Sequence, residues 1–265
     1  IKNITLIINE IRTGMTGRLM IMKITYIGHS GFLMEWDSCY WLFDYYTGSI
    51  PAIDPSKKLF IFVSHKHGDH FNPEIFKLYD KYPKIQYILS SDIKLKENDA
   101  SNYDITDAFL TKIATVKPSQ DYEFSDEKNQ KIFLKTLKST DCGVAFLLQY
   151  MGRTIYHAGD LNLWAWKEES KQYNNNMAAN YQKEMNILKT YSIDLAFVPL
   201  DPRQEEWYRL GLDKLLETTK VRYVFPMHFW EKPEIIQQYK QESPYAKQAQ
   251  IMGISHAGEL WNLEF

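Results

Sequence analysis

Three histidines and an aspartate stand within six residues, in Ser64-His65-Lys66-His67-Gly68-Asp69-His70, directly after the apolar run Leu59–Ser64 (LFIFVS). Imidazole nitrogens with a carboxylate are the ligand types that suit zinc, manganese or iron. The short apolar run reads as a strand buried on both faces, so the cluster lies on the loop that leaves a sheet. His65 and His67 are two apart and project to one side of an extended segment. Gly68 then permits a tight bend that returns Asp69 and His70 to a neighbouring position. One loop can thereby supply ligands to two adjacent ions, and the fold must bring the remaining ligands from elsewhere. A lone histidine is more often a satisfied structural residue, but that reading does not extend to four ligand types packed this closely.

Two further ligand types follow the same grammar. TIYHAGD places Asp160 just past an expected strand, and VRYVFPMH places His228 just past another. Strand ends along one edge of a sheet are where α/β folds assemble their sites. His157 should alternate away from Asp160 and reads as structural; His256, in SHAGEL, reads as surface or late-strand packing.

Strands are expected at Lys23–Ile27, Gly31–Trp36, Cys39–Asp44 and Ile85–Leu89, with a turn at Asp37-Ser38. Asn72-Pro73-Glu74 reads as a helix start, with Asn as cap and Pro at the first helical position. In the second half, Gly143–Tyr150 and Arg153–His157 form a hairpin around Met151-Gly152. A helix is expected over about Asn176–Thr190, strands at Asp194–Val198 and Val221–Phe225, and a helix at Gly211–Thr219. GFLMEWDSCYWLFD in the first half echoes AFLLQYMGRTIYHAGD in the second, each an aromatic-rich hairpin ending near an acid, Asp44 or Asp160. Any two hairpins share features of this kind; the alternative is a pseudo-symmetric pair of sheets covered by helices. No Gly/Ser/Pro-rich linker divides the chain, so residues 21–265 read as one domain and residues 1–20 as an extension outside it.

The chain has 265 residues, of which 45% are hydrophobic, enough for a substantial core. A formal net charge of −2 offers no electrostatic footprint for nucleic acid. No apolar run approaches the roughly 20 residues needed to cross a bilayer, and the first residues lack the pattern of a signal peptide. Cys39 and Cys142 are isolated, without a C-x-x-C pattern, and point to a reduced, cytoplasmic protein.

The opening ITYIGHSGFLME, then Asp44, SHKHGDH, IYHAGD, DLAFVPL and PMHFW resemble, in order, the metallo-β-lactamase-fold superfamily. Within it the pattern is most similar to the L-ascorbate-6-phosphate lactonase-like branch of small hydrolases. The resemblance implies an α+β fold, a four-layer αββα sandwich with the site at the sheet edge. It implies that His65 and His67 bind a first metal, that Asp69, His70 and His228 bind a second, and that Asp160 bridges them. Asp44 would support the histidine loop from behind, and His29, in the Gly-His-Ser that opens the fold, would lie near the site. Family members usually carry a further histidine before the second hairpin, where this chain reads LKSTDCGVAF. Asp141 is the only good anionic ligand there. It either replaces the missing histidine or caps the turn beside a weaker or empty first site.

The expected cofactor is therefore one or two divalent ions, zinc first, with manganese or iron as alternatives. A metal pair brings the pKa of water from about 15.7 towards 7, which provides a hydroxide nucleophile, and it stabilises charge developing on the substrate oxygen. Asp69 or Asp160 would pass a proton to the leaving group, with His29 a weaker candidate. Trp164 could line a substrate mouth or simply pack; Arg203 could hold an anionic substrate or form a surface ion pair. The substrate class expected is a small ester, lactone or phosphoester, with no membrane partner. Cleavage of RNA or DNA is the first alternative, and a non-catalytic metal-binding protein is the second.

Overall fold

A computed structural model of the chain describes residues 21–95 and 106–265; the expected extension, residues 1–20, lies outside them. The strands are β1 (Ile21–Gly28), β2 (Gly31–Glu35), β3 (Cys39–Phe43), β4 (Lys58–Val63), β5 (Ile85–Ser90), β6 (Ile113–Val116), β7 (Asp121–Ser125), β8 (Lys131–Lys138), β9 (Val144–Tyr150), β10 (Arg153–His157), β11 (Ser192–Pro199), β12 (Lys220–Met227), β13 (Gln250–Ile251) and β14 (Leu260–Glu264). They form two sheets, ordered β14-β1-β2-β3-β4-β5-β6 and β7-β8-β9-β10-β11-β12-β13.

The two sheets share one pairing rule. From β14 to β6, three antiparallel pairings precede three parallel ones. From β7 to β13 the same succession recurs. The two echoing hairpins, β2–β3 and β9–β10, hold the third and fourth places of their respective sheets. Their likeness is thus topological, as well as a shared taste for aromatics.

Alternation explains the layers. On β3, Cys39, Trp41 and Phe43 enter the core between the sheets, while Tyr40 and Leu42 face the opposite side. On β4, Phe60 and Phe62 point inward, and Leu59, Ile61 and Val63 meet Ile75, Phe76 and Tyr82 of an outer helical layer. Both faces are buried, which is why this strand carries no polar alternation. Ring pairs join the sheets, with centroids 4.4 Å apart for Phe32–Phe197 and 5.5 Å for Phe62–Phe146. Tyr181, Met185 and Leu188 of the helix Lys171–Leu188, with Leu212 and Leu215 of the helix Leu210–Thr218, pack into the same large core. The result is the αββα sandwich.

Several local expectations shift. Asn72 caps its segment, accepting the Glu74 N–H at 3.0 Å, but the segment it opens is a 3-10 turn, Pro73–Lys77, succeeded by one α-turn, Leu78–Lys81. The long helix begins five residues before the expected Asn176, because the Ser170 hydroxyl accepts the Tyr173 N–H and caps it. No helix among the described residues is long and apolar enough to cross a membrane.

Candidate metal centre

The loops leaving β3, β4, β10, β11 and β12 carry Asp44, the His65–His70 cluster, Asp160, Asp201 and His228, and the β1–β2 turn adds His29. Their side chains meet in two adjoining groups.

In the inner group, one ligand atom from each of His29, Asp69, His70 and His228 lies within 4.8 Å of the others. His29 Nε2 and His228 Nε2 are 3.4 and 3.7 Å from Asp69 Oδ2. Asp160 Oδ1 stands 3.1 Å from His70 Nε2 and 3.4 Å from His228 Nε2. The outer group joins His65, His67, Asp141 and Asp160. Here His65 Nε2 is 3.1 Å from His67 Nδ1 and 3.5 Å from Asp160 Oδ2, and His67 Nδ1 is 3.4 Å from Asp141 Oδ2. Asp160 thus turns one oxygen to each group. Two ligands of one ion, each about 2.1 Å from it, lie no more than about 4.2 Å apart, and every one of these separations meets that limit.

The donor set also fits a cation on a second ground. His29 Nε2, His70 Nε2, His228 Nε2 and Asp160 Oδ1 are buried without an aligned hydrogen-bond partner. Buried polar atoms are ordinarily satisfied. Four orphans gathered around one small volume match what a divalent ion would bind.

The supporting contacts are specific. Asp44, fully buried, accepts from the Ser64 N–H at 2.7 Å and the Ser64 hydroxyl at 2.6 Å, and pairs with His70 Nδ1 at 2.8 Å. Asp201, equally buried, pairs with His228 Nδ1 at 2.9 Å. A carboxylate on the far nitrogen fixes the tautomer and leaves Nε2 free to bind a metal. His157 donates from Nε2 to the Ser30 carbonyl at 3.0 Å and accepts the Gly159 N–H at Nδ1, so it is a spacer stacked on Phe43 and no ligand. Gly143 and Gly159 hold left-handed φ of 66° and 51°. A Cβ at either would strike Ser64, and one at Gly143 would also come within 2.6 Å of the His65 Cβ, so these loops close on the cluster only as glycine.

Gly68 plays no such part. Its φ is not left-handed and a Cβ there would meet nothing within 4 Å. The turn is instead held by the His67 carbonyl, which accepts from the N–H groups of His70 at 3.0 Å and Phe71 at 2.9 Å.

Burial by itself would raise the Asp160 carboxyl, but His70, His228 and His65 around it hold it well below the usual carboxylate range. Burial likewise opposes, and Asp160 and Asp44 overcome, the raised pKa of His70. His65 is pushed down to about 4, first by burial and then by His70. Asp141 is raised by burial and by the neighbouring Asp160.

Beside the outer group opens a cavity of about 180 Å³, lined by residues that include Thr140, Asp141, Asp160, Trp164, Trp166 and Arg203. Trp164 is buried, donates from Nε1 to the Asp160 carbonyl at 2.9 Å and lies parallel to Trp166. Arg203 both lines the cavity and forms an ion pair with Asp201 at 2.6 Å, its guanidinium lying over Trp230.

The structure brings together His65, His67, Asp69, His70, Asp141, Asp160 and His228, with Asp44 behind them. It sets His29 among the inner ligand atoms and outside the lining of the 180 Å³ cavity. Asp201, the partner of His228, is the site residue that sequence reasoning misses. Its signal is nonetheless present: it follows strand β11 as Asp160 follows β10.

Known proteins resemble this chain along most of its length. A β-lactamase superfamily domain profile matches residues 23–175. A metal-dependent hydrolase of Desulforamulus reducens is 26% identical over 231 residues, covering 82% of this chain and 88% of that one. A metal-dependent hydrolase of Carboxydothermus hydrogenoformans is 27% identical over 226 residues, covering 81% and 87%. Among solved structures, a metallo hydrolase from Ignicoccus hospitalis superposes with a TM-score of 0.59 at 18% identity, covering 92% of this chain and 99% of that one.

Proposed function

The chain belongs to the β-lactamase superfamily domain family, and from that footing we propose that it is a metal-dependent hydrolase of small esters, lactones or phosphoesters. The observation that carries this reading is the pair of ligand groups sharing Asp160, set at the mouth of a cavity. Its relatives' description as metal-dependent hydrolases supports it.

Divalent ions held here, zinc first and manganese or iron as alternatives, would supply Lewis acidity that acidifies water and polarises the substrate oxygen. The protein's own residues do the rest. Asp160, with both oxygens committed to the ligand groups, positions them relative to one another. Asp69 is a quarter exposed and follows the metal loop, which suits it to hold a proton for the leaving group. His29 turns Nε2 to the ligands and is the weaker proton carrier. Trp164 and Trp166 wall the cavity against water, and the face of Arg203 not bound to Asp201 is free to meet an anionic group. The cavity is small beside the roughly 300–1,000 Å³ of drug-sized sites, which favours a small substrate of the lactonase-like kind. A net charge of −2 argues against a nucleic-acid substrate. Free Cys39 and Cys142 suit a reducing, cytoplasmic setting.

The test is a panel of lactones, aryl esters and phosphoesters assayed with zinc, manganese or ferrous iron. Turnover that a chelator abolishes and metal restores is the expected result. No turnover of any class with any of the three ions would overturn the proposal.

A further inference from the structure

The two ligand groups are not alike. The inner one gathers three imidazoles and a carboxylate from separate loops, with side-chain exposures of 7% for His29, 24% for Asp69, 0% for His70 and 1% for His228. The outer one has two imidazoles and two carboxylates, one of them shared. Its His67 and Asp141 are 42% and 41% exposed, and Asp141 borders the cavity.

His29 makes the difference. A histidine kept for packing would have its buried nitrogen satisfied, yet His29 Nε2 is an orphan aimed into the inner group. Its backbone is held at a left-handed φ of 53°, and that of His228 at 64°. Such a conformation costs a non-glycine residue about 1–2 kcal/mol. The two strained residues brace one another, the His228 N–H donating to the His29 carbonyl at 3.2 Å. The His29 ring also lies against Trp230, with centroids 4.6 Å apart. Strain of this kind persists where surrounding structure holds it for a purpose. Here it delivers a fourth side chain to a position already served by three.

We propose that His29 is a fourth protein ligand of the inner position, which closes it and retains its ion, while the outer position keeps the exchangeable ion and the open coordination site. Four protein ligands mark a closed zinc site, and an unfilled position marks a reactive one. The nitrogen-rich inner set favours zinc, and the oxygen-richer outer set tolerates manganese. This inference rests on the metal-centre reading above.

The experiment titrates metal-free protein with zinc against a chromophoric chelator, with metal analysis after dialysis. Wild type should bind two ions in two separate steps and keep one after dialysis against a mild chelator. His29→Ala should weaken the tight step by roughly 10- to 100-fold and leave the weak step in place. Asp141→Ala, at an exposed position, should remove only the weak step. His29→Gln, closer in volume, serves as the second variant, and circular dichroism checks that each variant is folded. Two equal steps in wild type, or an unchanged tight step in a folded His29 variant, would overturn the proposal. Folded wild type that binds no zinc would instead overturn the metal-centre reading itself.

Discussion

Replacing Asp44 by asparagine isolates the part the buried carboxylate plays in the metal loop. Asp44 is fully buried, and its two oxygens accept two hydrogen bonds from Ser64 and pair with His70 Nδ1. The asparagine carbonyl can still accept from the Ser64 N–H. Its NH2 group, however, faces Ser64 Oγ and His70 Nδ1, where it can only donate. His70 must then carry its proton on Nε2, the nitrogen turned to the inner group, so ion binding has to reverse that tautomer. Loss of such a supporting partner typically weakens metal affinity 10- to 100-fold, or about 1.4–2.7 kcal/mol. Asp44→Ala goes further and leaves His70 and Ser64 buried opposite a void. Removing one partner of a buried ion pair costs about 3–5 kcal/mol, a large share of the roughly 5–15 kcal/mol that holds a domain folded. Urea unfolding with and without chelator, beside chelator competition, separates the two effects. An Asp44→Asn protein that binds zinc with wild-type affinity would refute the reasoning.

The same contacts fix other outcomes. His67 is partly exposed, so His67→Ala should abolish metal-dependent turnover yet shift the urea midpoint little; wild-type rates would count against the outer group. In the metal-free protein, His70 has a pKa well above its ordinary 6.5, since Asp160 and Asp44 outweigh its burial. The stability this pairing contributes is full below about pH 6.5 and is lost as pH rises through the raised value. At neutral pH an ion must displace that proton. Calorimetry in two buffers of different ionisation enthalpy should therefore show release of about one proton on zinc binding, whereas heats independent of buffer would contradict it. Gly143→Ala places a Cβ against Ser64 and His65 at a left-handed φ of 66°, and should lower unfolding stability by at least about 2 kcal/mol in urea titration.

The site is legible in the sequence where ligands are contiguous or end a strong strand. His65, His67, Asp69 and His70 share one loop, and Asp160 and His228 follow apolar runs whose strand character is plain. Asp201 follows β11 in the same way, but Asp201-Pro202-Arg203 also reads as a cap, and the carboxylate does accept the Arg203 N–H at 2.8 Å. A local role masks the long-range one. The ligand-facing orientation of His29 depends on left-handed backbone at positions 29 and 228, which contacts across the fold impose and no local pattern encodes. The hairpin β7–β8 and strands β6 and β14 give little signal because they are short or edge-lying, and several of their residues are exposed. The start of the long helix is hidden by Lys171–Asn176, a polar run without apolar spacing that only the Ser170 cap announces.

Anomalous scattering from zinc-loaded crystals would place the ions themselves. Two peaks are predicted: one about 2.1 Å from the Nε2 atoms of His70 and His228, the other reached by His65, His67 and Asp141, with the Asp160 carboxylate between them. Zinc bound only at surface sites, with no peak between His70 and His228, would contradict the account.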